Sequence, residues 1–213
     1  MLGAHAAVLA AAVLVAGAAS ARPMPARVAS GCPDATLQPY PGNLGRVATA
    51  IVCEVNLQRA DAGLVPLTEQ RQLDASSQFQ SDDMVDSHFV GHEQPGHPSL
   101  LTRIRRTGYF KRVAGGLYSE NIAVAPQEEA TADDVVQAWM LSDEHRAKIL
   151  YGSFREIGVG ARIAGPDPAF YADRPSVVYT TDFGRRYWSR CGFRRTDDSA
   201  GQPRRCPHRR RRR

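Results

Sequence analysis

Apolar positions first recur at helical spacing in Leu44, Val47, Ala48, Ile51, Val52 and Val55. This stripe predicts a helix with Asn43 placed to cap its start and Gly63 just past its end. Thr68, followed by Glu69 and Gln70, predicts the opening of a second helix that carries Leu73, Ser76, Ser77, Gln80 and Met84 on one face. That face is too polar for a purely hydrophobic drive, and its small residues predict close packing against another element. Pro98 and Ser99 start a short third helix, LLTRIRRTG, which Gly108 ends. Thr131, with Asp133 and Asp134 in the first turn, caps a fourth through Val135, Val136, Trp139 and Met140, the acids offsetting the positive helix end. Ser142 caps a further turn through His145 to Leu150, and residues 156–163 and 176–183 are β-rich segments bounded by Gly or Pro.

Helices come first and strands late, with no internal repeat and no GxGxxG after a strand, which argues against a doubly wound nucleotide-binding fold. The pattern predicts an α/β (α+β) chain folded as a three-layer α-β-α sandwich with a small, mainly antiparallel sheet. Residues 1–21, an Ala/Val/Leu run closing on Ala19-Ser20-Ala21, read as a secretory signal peptide. The uncharged run from Ala6 to Ala19 is shorter than the roughly 20 residues that a membrane span requires. Residues 22–42, rich in Pro, Ala and Gly, read as a linker, 43–187 as the folded domain and 188–213 as a basic tail.

Charge sharpens that division. The chain carries +5 overall, but Arg185–Arg213 holds 12 Arg against Asp197 and Asp198. Residues 1–184 are therefore acidic, at −5, and the basic excess lies at the C-terminal end. Such a run buries no apolar surface; it can pair with anionic envelope polymers, lipid head groups or nucleic acid, or stay solvated. Its few aromatics precede the densest basic stretch, which disfavours nucleic acid as a partner. Cys32, Cys53, Cys191 and Cys206 form an even set without CxxC spacing, so disulfides are expected over a thiolate metal site. Three connectivities are open; pairing Cys32 with Cys53 and Cys191 with Cys206 ties each end of the chain locally.

Several segments occur in a telling order: Asn56 before Gly63-Leu64-Val65-Pro66-Leu67; Leu73 with Ser76, Ser77, Asp83 and Met84; Phe89 to His92; Arg103-Ile104 before Gly108-Tyr109; Ser119-Glu120-Asn121-Ile122-Ala123; Trp139-Met140 before Ser142, His145 and Arg146; Phe154 to Gly160; and Tyr179 to Gly184. The series resembles the CAP superfamily (cysteine-rich secretory proteins, antigen 5 and pathogenesis-related proteins) in its bacterial SCP-like branch. The resemblance implies an α-β-α sandwich whose cleft is lined by two His and two Glu, a site that holds a divalent metal in some members. His92 matches the first His, and Glu120 matches the Glu of the family's GENLA-like motif. At the second Glu this chain has Ser142, and at the second His it has Val178 or a neighbour, while the bacterial branch offers His145 instead.

Taken by themselves, His92, Glu120 and His145 are suitable donors for a zinc ion with one open position. No HExxH spacing pre-positions them, so sequence alone favours structural roles: Glu120 bonded to backbone or imidazole, and His145 securing a helix start. His88 and His97 flank His92 in a polar loop. No GxSxG elbow supports serine hydrolase chemistry, and Ser142 is explained as a cap. The functional expectation is a secreted or envelope-associated, non-enzymatic binding module. Its His/Glu cleft would take a lipid, glycan or protein and require no cofactor. The competing expectation is a metal-dependent, peptidase-like hydrolase using His92, Glu120 and His145 with a divalent ion such as zinc.

Overall fold

A computed structural model describes residues 31–188 of the chain. The expected signal peptide, most of the basic tail, Cys191 and Cys206 lie outside the described residues. The elements in order are α1 (Leu44–Asp61), β1 (Thr68–Glu69), α2 (Arg71–Asp86), α3 (Leu100–Arg106), β2 (Gly115–Pro126), α4 (Ala132–Leu141), α5 (Asp143–Ile149), β3 (Glu156–Ala164) and β4 (Ser176–Tyr187). The strands lie in the order β1-β3-β4-β2, antiparallel apart from the short parallel β1–β3 pair. Helices α1, α4 and α5 cover one face of the sheet, and α2 with α3 cover the other. This is the expected α-β-α sandwich.

Alternation along the strands divides the interior in two. Ile157, Val159, Tyr179 and Phe183 join Val47, Ile51, Val55, Val136 and Trp139 in the larger core on the α1/α4 side. The α2 side is narrower, its apolar centre being Leu73, Ile104 and Tyr109. Glycines explain why. A Cβ on Gly158 would lie 2.2 Å from the backbone of Leu73 and Asp74, and one on Gly160 would lie 2.3 Å from the backbone of Ser77 and Gln78. Helix α2 thus rests almost directly on β3, and its small Ser76, Ser77 and Ser81, all fully buried, suit this close approach. Ser77 donates to the Gly158 carbonyl and Ser81 to Thr180 Oγ1, so the sheet satisfies two of the polar groups on this face.

Local details differ from the sequence reading where tertiary contacts decide. Thr68 and Glu69 do not open α2; they form β1 beside Glu156 and Ile157, and Gln70 takes the N-cap position. Asn43 precedes α1, yet its side chain holds the incoming loop through Tyr40 N–H and the Gln38 carbonyl. Thr131 caps α4 through a capping box with Asp134. The edge strand β2 was not foreseen as a strand, because its burial does not alternate cleanly. Part of the expected linker packs on the domain: Cys32 and Ala35 are buried, and Cys32 is bridged to Cys53 of α1.

Two α1 side chains hold the following turn. Asn56 both donates to the Leu67 carbonyl and accepts from the Leu67 N–H. Arg59, fully buried, donates to the carbonyls of Val65 and Ile149. The turn's reversal falls on Gly63, at φ 69°, where a side chain would be strained.

Candidate functional site

Strand β2 is the sheet's long open edge, and a groove of about 440 Å³ runs beside it, lined by His92, Glu93, Ser99, Leu101, Tyr118 and Lys148 among others. At its floor lies Glu120, from the middle of β2, with a side chain 1% exposed. One carboxylate oxygen, Oε1, accepts from His92 Nδ1 at 2.8 Å. The other, Oε2, accepts from the Arg103 guanidinium, which α3 inserts behind it and which is buried as completely.

Arg103 does more than neutralise Glu120. Its other amino nitrogen donates to the carbonyls of His92 and Pro98, fixing the loop that carries His92 onto α3. Gln80 of α2 secures the same loop through the Gly91 carbonyl at 2.6 Å. His97 is bonded to Asp83 at 2.9 Å and His88 is paired with Asp167, so both flanking imidazoles anchor the loop. His92 is thereby the loop imidazole presented to the groove, 42% exposed.

Behind this trio stands Asp182 of β4, directly opposite Glu120 in the strand register and fully buried. Two side chains opposed across an antiparallel pair are close neighbours on one face. Burial, and then the Glu120 carboxylate beside it, push Asp182 well above the usual carboxylate range. The shift favours the protonated form of Asp182, beside the ion pair that Arg103 makes with Glu120.

His145 sits on α5, the helix layer on the opposite side of the sheet from α3. Its Nδ1 lies 2.9 Å from Ser142 Oγ, and its backbone carbonyl accepts from Asn121, the residue after Glu120. Burial, then the charge of Lys148, lower its pKa and favour the neutral ring. Ser142 occupies the N-cap position of α5, but its hydroxyl serves the imidazole instead of a backbone N–H. The Ser142–His145 pair lacks the acid that orients a catalytic imidazole: among the described residues, no carboxylate is bonded to His145.

His92, Glu120, His145 and Ser142 thus gather around one edge of the sheet, but His92, Glu120 and His145 do not form a ligand set. Among the described residues, no three His, Cys, Asp or Glu side chains converge as metal donors. Both Glu120 oxygens are already bonded, and a buried guanidinium occupies the space behind the carboxylate, where it would repel a divalent cation. These residues do not fit a resident metal.

The sequence pattern alone shows no role for Arg103 or Asp182. The available signal was a charged residue beside a core position, Ile104 in one case and Phe183 in the other, both fully buried.

Comparisons with known proteins agree on the fold. A model of the cysteine-rich secretory protein family, CAP, matches residues 52–180. The chain is 33% identical over 120 residues to the uncharacterized protein YkwD of Bacillus subtilis, which covers 56% of this chain and 44% of the relative. It superposes at a TM-score of 0.50 and 26% identity on an extracellular protein containing a SCP domain from Bacillus anthracis, over 68% of this chain and 40% of that one. An outer surface protein from Borrelia burgdorferi superposes at a TM-score of 0.51 and 18% identity, over 64% of this chain and 90% of that one, a likeness of fold alone. The chain spans less than half the length of either Bacillus relative.

Proposed function

Since this chain belongs to the cysteine-rich secretory protein family, we propose that it acts outside the cell as a non-enzymatic binding module that holds its ligand in the groove beside β2. The observation that carries this reading is the closed state of Glu120. With one oxygen on His92, the other on Arg103 and almost no exposure, the carboxylate is a structural clamp that rigidifies the groove floor. A preorganised floor favours binding, because little ordering is left to be done when the ligand arrives. The groove's own surface mixes Leu101 and Tyr118 with Ser99, Glu93, Lys148 and the free edge of His92, a set suited to an amphipathic or hydroxylated ligand.

An extracellular location is supported by the apolar leader ending in Ala-Ser-Ala and by the Cys32–Cys53 bridge, since disulfides persist in oxidising compartments. The Bacillus anthracis relative is described as extracellular. Among the described residues, no helix is long and apolar enough to cross a membrane.

The test is retention of the purified full chain on cell-envelope preparations, with mass spectrometry of the released polymers and of a peptide mixture. Retention weakened by His92→Ala and by Leu101→Asp, with every component recovered unchanged, supports the binding module. Time-dependent cleavage that disappears in Glu120→Gln would overturn it.

A further inference from the structure

We propose that the face formed by α3, the following loop and the paired ends of β2 and β4 binds a linear anionic polysaccharide. Residues 94–119 contain Arg103, Arg105, Arg106, Lys111 and Arg112 but no Asp or Glu, in a domain that is otherwise acidic. Arg103 is consumed by Glu120. Arg105, Arg106, Lys111 and Arg112 are exposed, and among the described residues none has a carboxylate partner. That distinguishes them from most other surface cations, Arg71 being an exception. Arg46 pairs with Asp34, Arg146 with Asp143, Lys148 with Glu144, Arg162 with Asp82 and Arg174 with Glu128.

A connected series of rings runs through the same face. Tyr118 meets Phe110 edge-on at 6.1 Å, and Phe110 meets Tyr109 at 4.8 Å. Arg186 then lies 4.9 Å from the Tyr109 ring centre and 5.6 Å from that of Trp188. Tyr118 and Trp188 are 40% and 62% exposed, although large apolar rings are normally covered. Gly116 permits the arrangement, since a Cβ there would strike the Phe110 ring at 2.4 Å.

Cations alone accept any polyanion, and the neighbouring geometry selects among them. Tyr118 belongs both to this face and to the groove, so a bound chain passes from one to the other. The groove offers the hydroxyls of Ser99 and Ser119, the His92 ring and the Glu93 carboxylate, which are partners for sugar hydroxyls. The groove's hydroxyl, imidazole and carboxylate partners suit the many free hydroxyls of a sugar chain, which a single-stranded DNA lacks, and a flat lipid surface does not enter a concave groove. Exposed rings supply stacking surfaces for sugar faces, and the unpaired cations take the carboxylates or phosphates that the glycan bears.

The inference deepens the binding-module reading by naming its ligand class. The probe is polygalacturonate, titrated into the full chain at low salt, with neutral dextran, a single-stranded oligonucleotide and anionic phospholipid vesicles as comparators. Joint Arg105→Glu, Arg106→Glu, Lys111→Glu and Arg112→Glu substitution is expected to weaken polygalacturonate binding roughly tenfold or more. The same four positions changed to Gln provide a second variant, should charge reversal impair folding. Tyr118→Ala and Trp188→Ala are expected to weaken it about fivefold with little change in salt dependence. Unchanged binding in the quadruple variants, or no effect of either ring, would overturn the inference. So would equal or tighter binding of the oligonucleotide or the vesicles. Envelope retention that still depends on His92 while polygalacturonate fails to bind would reject this ligand class and leave the binding-module reading intact.

Discussion

Glu120 and Asp182 face each other across the β2–β4 pair, two buried acids on the same side of the sheet, with the guanidinium of Arg103 from α3 bonded to Glu120. A charge pair shielded from water is weak evidence of net stabilisation, but removing one partner strands the other. This arrangement makes the groove floor rigid and sensitive to any change in its charge balance.

Arg103→Met and Glu120→Leu should each lower the unfolding free energy by about 3–5 kcal/mol, because each leaves a buried charge without its counterion. The double variant should lose much less than the sum of the two. Urea unfolding of all four proteins measures the difference, and additive losses would show that the pair is not coupled.

Stability should depend on pH through Asp182. A carboxyl with a raised folded pKa holds its proton more tightly when folded than when unfolded. The corresponding stability is complete below the ordinary carboxyl value of about 4 and drains away as pH rises through the folded value. Asp182→Asn fixes the neutral form, so it should gain stability relative to the parent as pH rises above about 4. Asp74, pushed up to about 6 by burial against the opposing effect of its bond from Val159 N–H, acts in the same direction over that lower range. It is present in both proteins and cancels in the difference. Urea midpoints measured across the series check this, and curves of Asp182→Asn and parent that stay parallel would refute it.

Gly158→Ala should destabilise the fold by about 1–3 kcal/mol or more, through overpacking against the α2 backbone. Ala at Gly45, whose Cβ would meet nothing within 4 Å, should be tolerated. Thermal melting of the two variants compares them directly. Equal melting temperatures would mean that α2 can lift from the sheet at little cost.

Much of this architecture was legible because it follows from local chemistry. The α1 stripe, the Thr131 cap and the small-residue face of α2 each carry a periodicity or a capping pattern that survives in the fold. What was not legible depends on partners distant in sequence. Thr68 and Glu69 suit a helix start by composition but are taken as a strand by Glu156 and Ile157, some ninety residues further on. Strand β2 hides its pattern, because each of its faces mixes polar and apolar residues: Glu120 shares one with Tyr118 and Ile122, and Asn121 shares the other with Leu117 and Ala123. In the candidate site, His92 and Glu120 could be named from their motifs and do meet. The roles of Arg103 and Asp182 could not, since a buried charge is recognisable only when its counterpart is in view.

The role of Glu120 as a closed clamp, not a metal-activated base, is tested most directly by calorimetric titration of zinc into the full chain and its His92→Ala/His145→Ala variant. The expected result is the same weak heat from both proteins, because the imidazoles are already held by Glu120 and Ser142. A one-to-one transition with a Kd of about 1 µM or tighter, abolished in the variant, would contradict it.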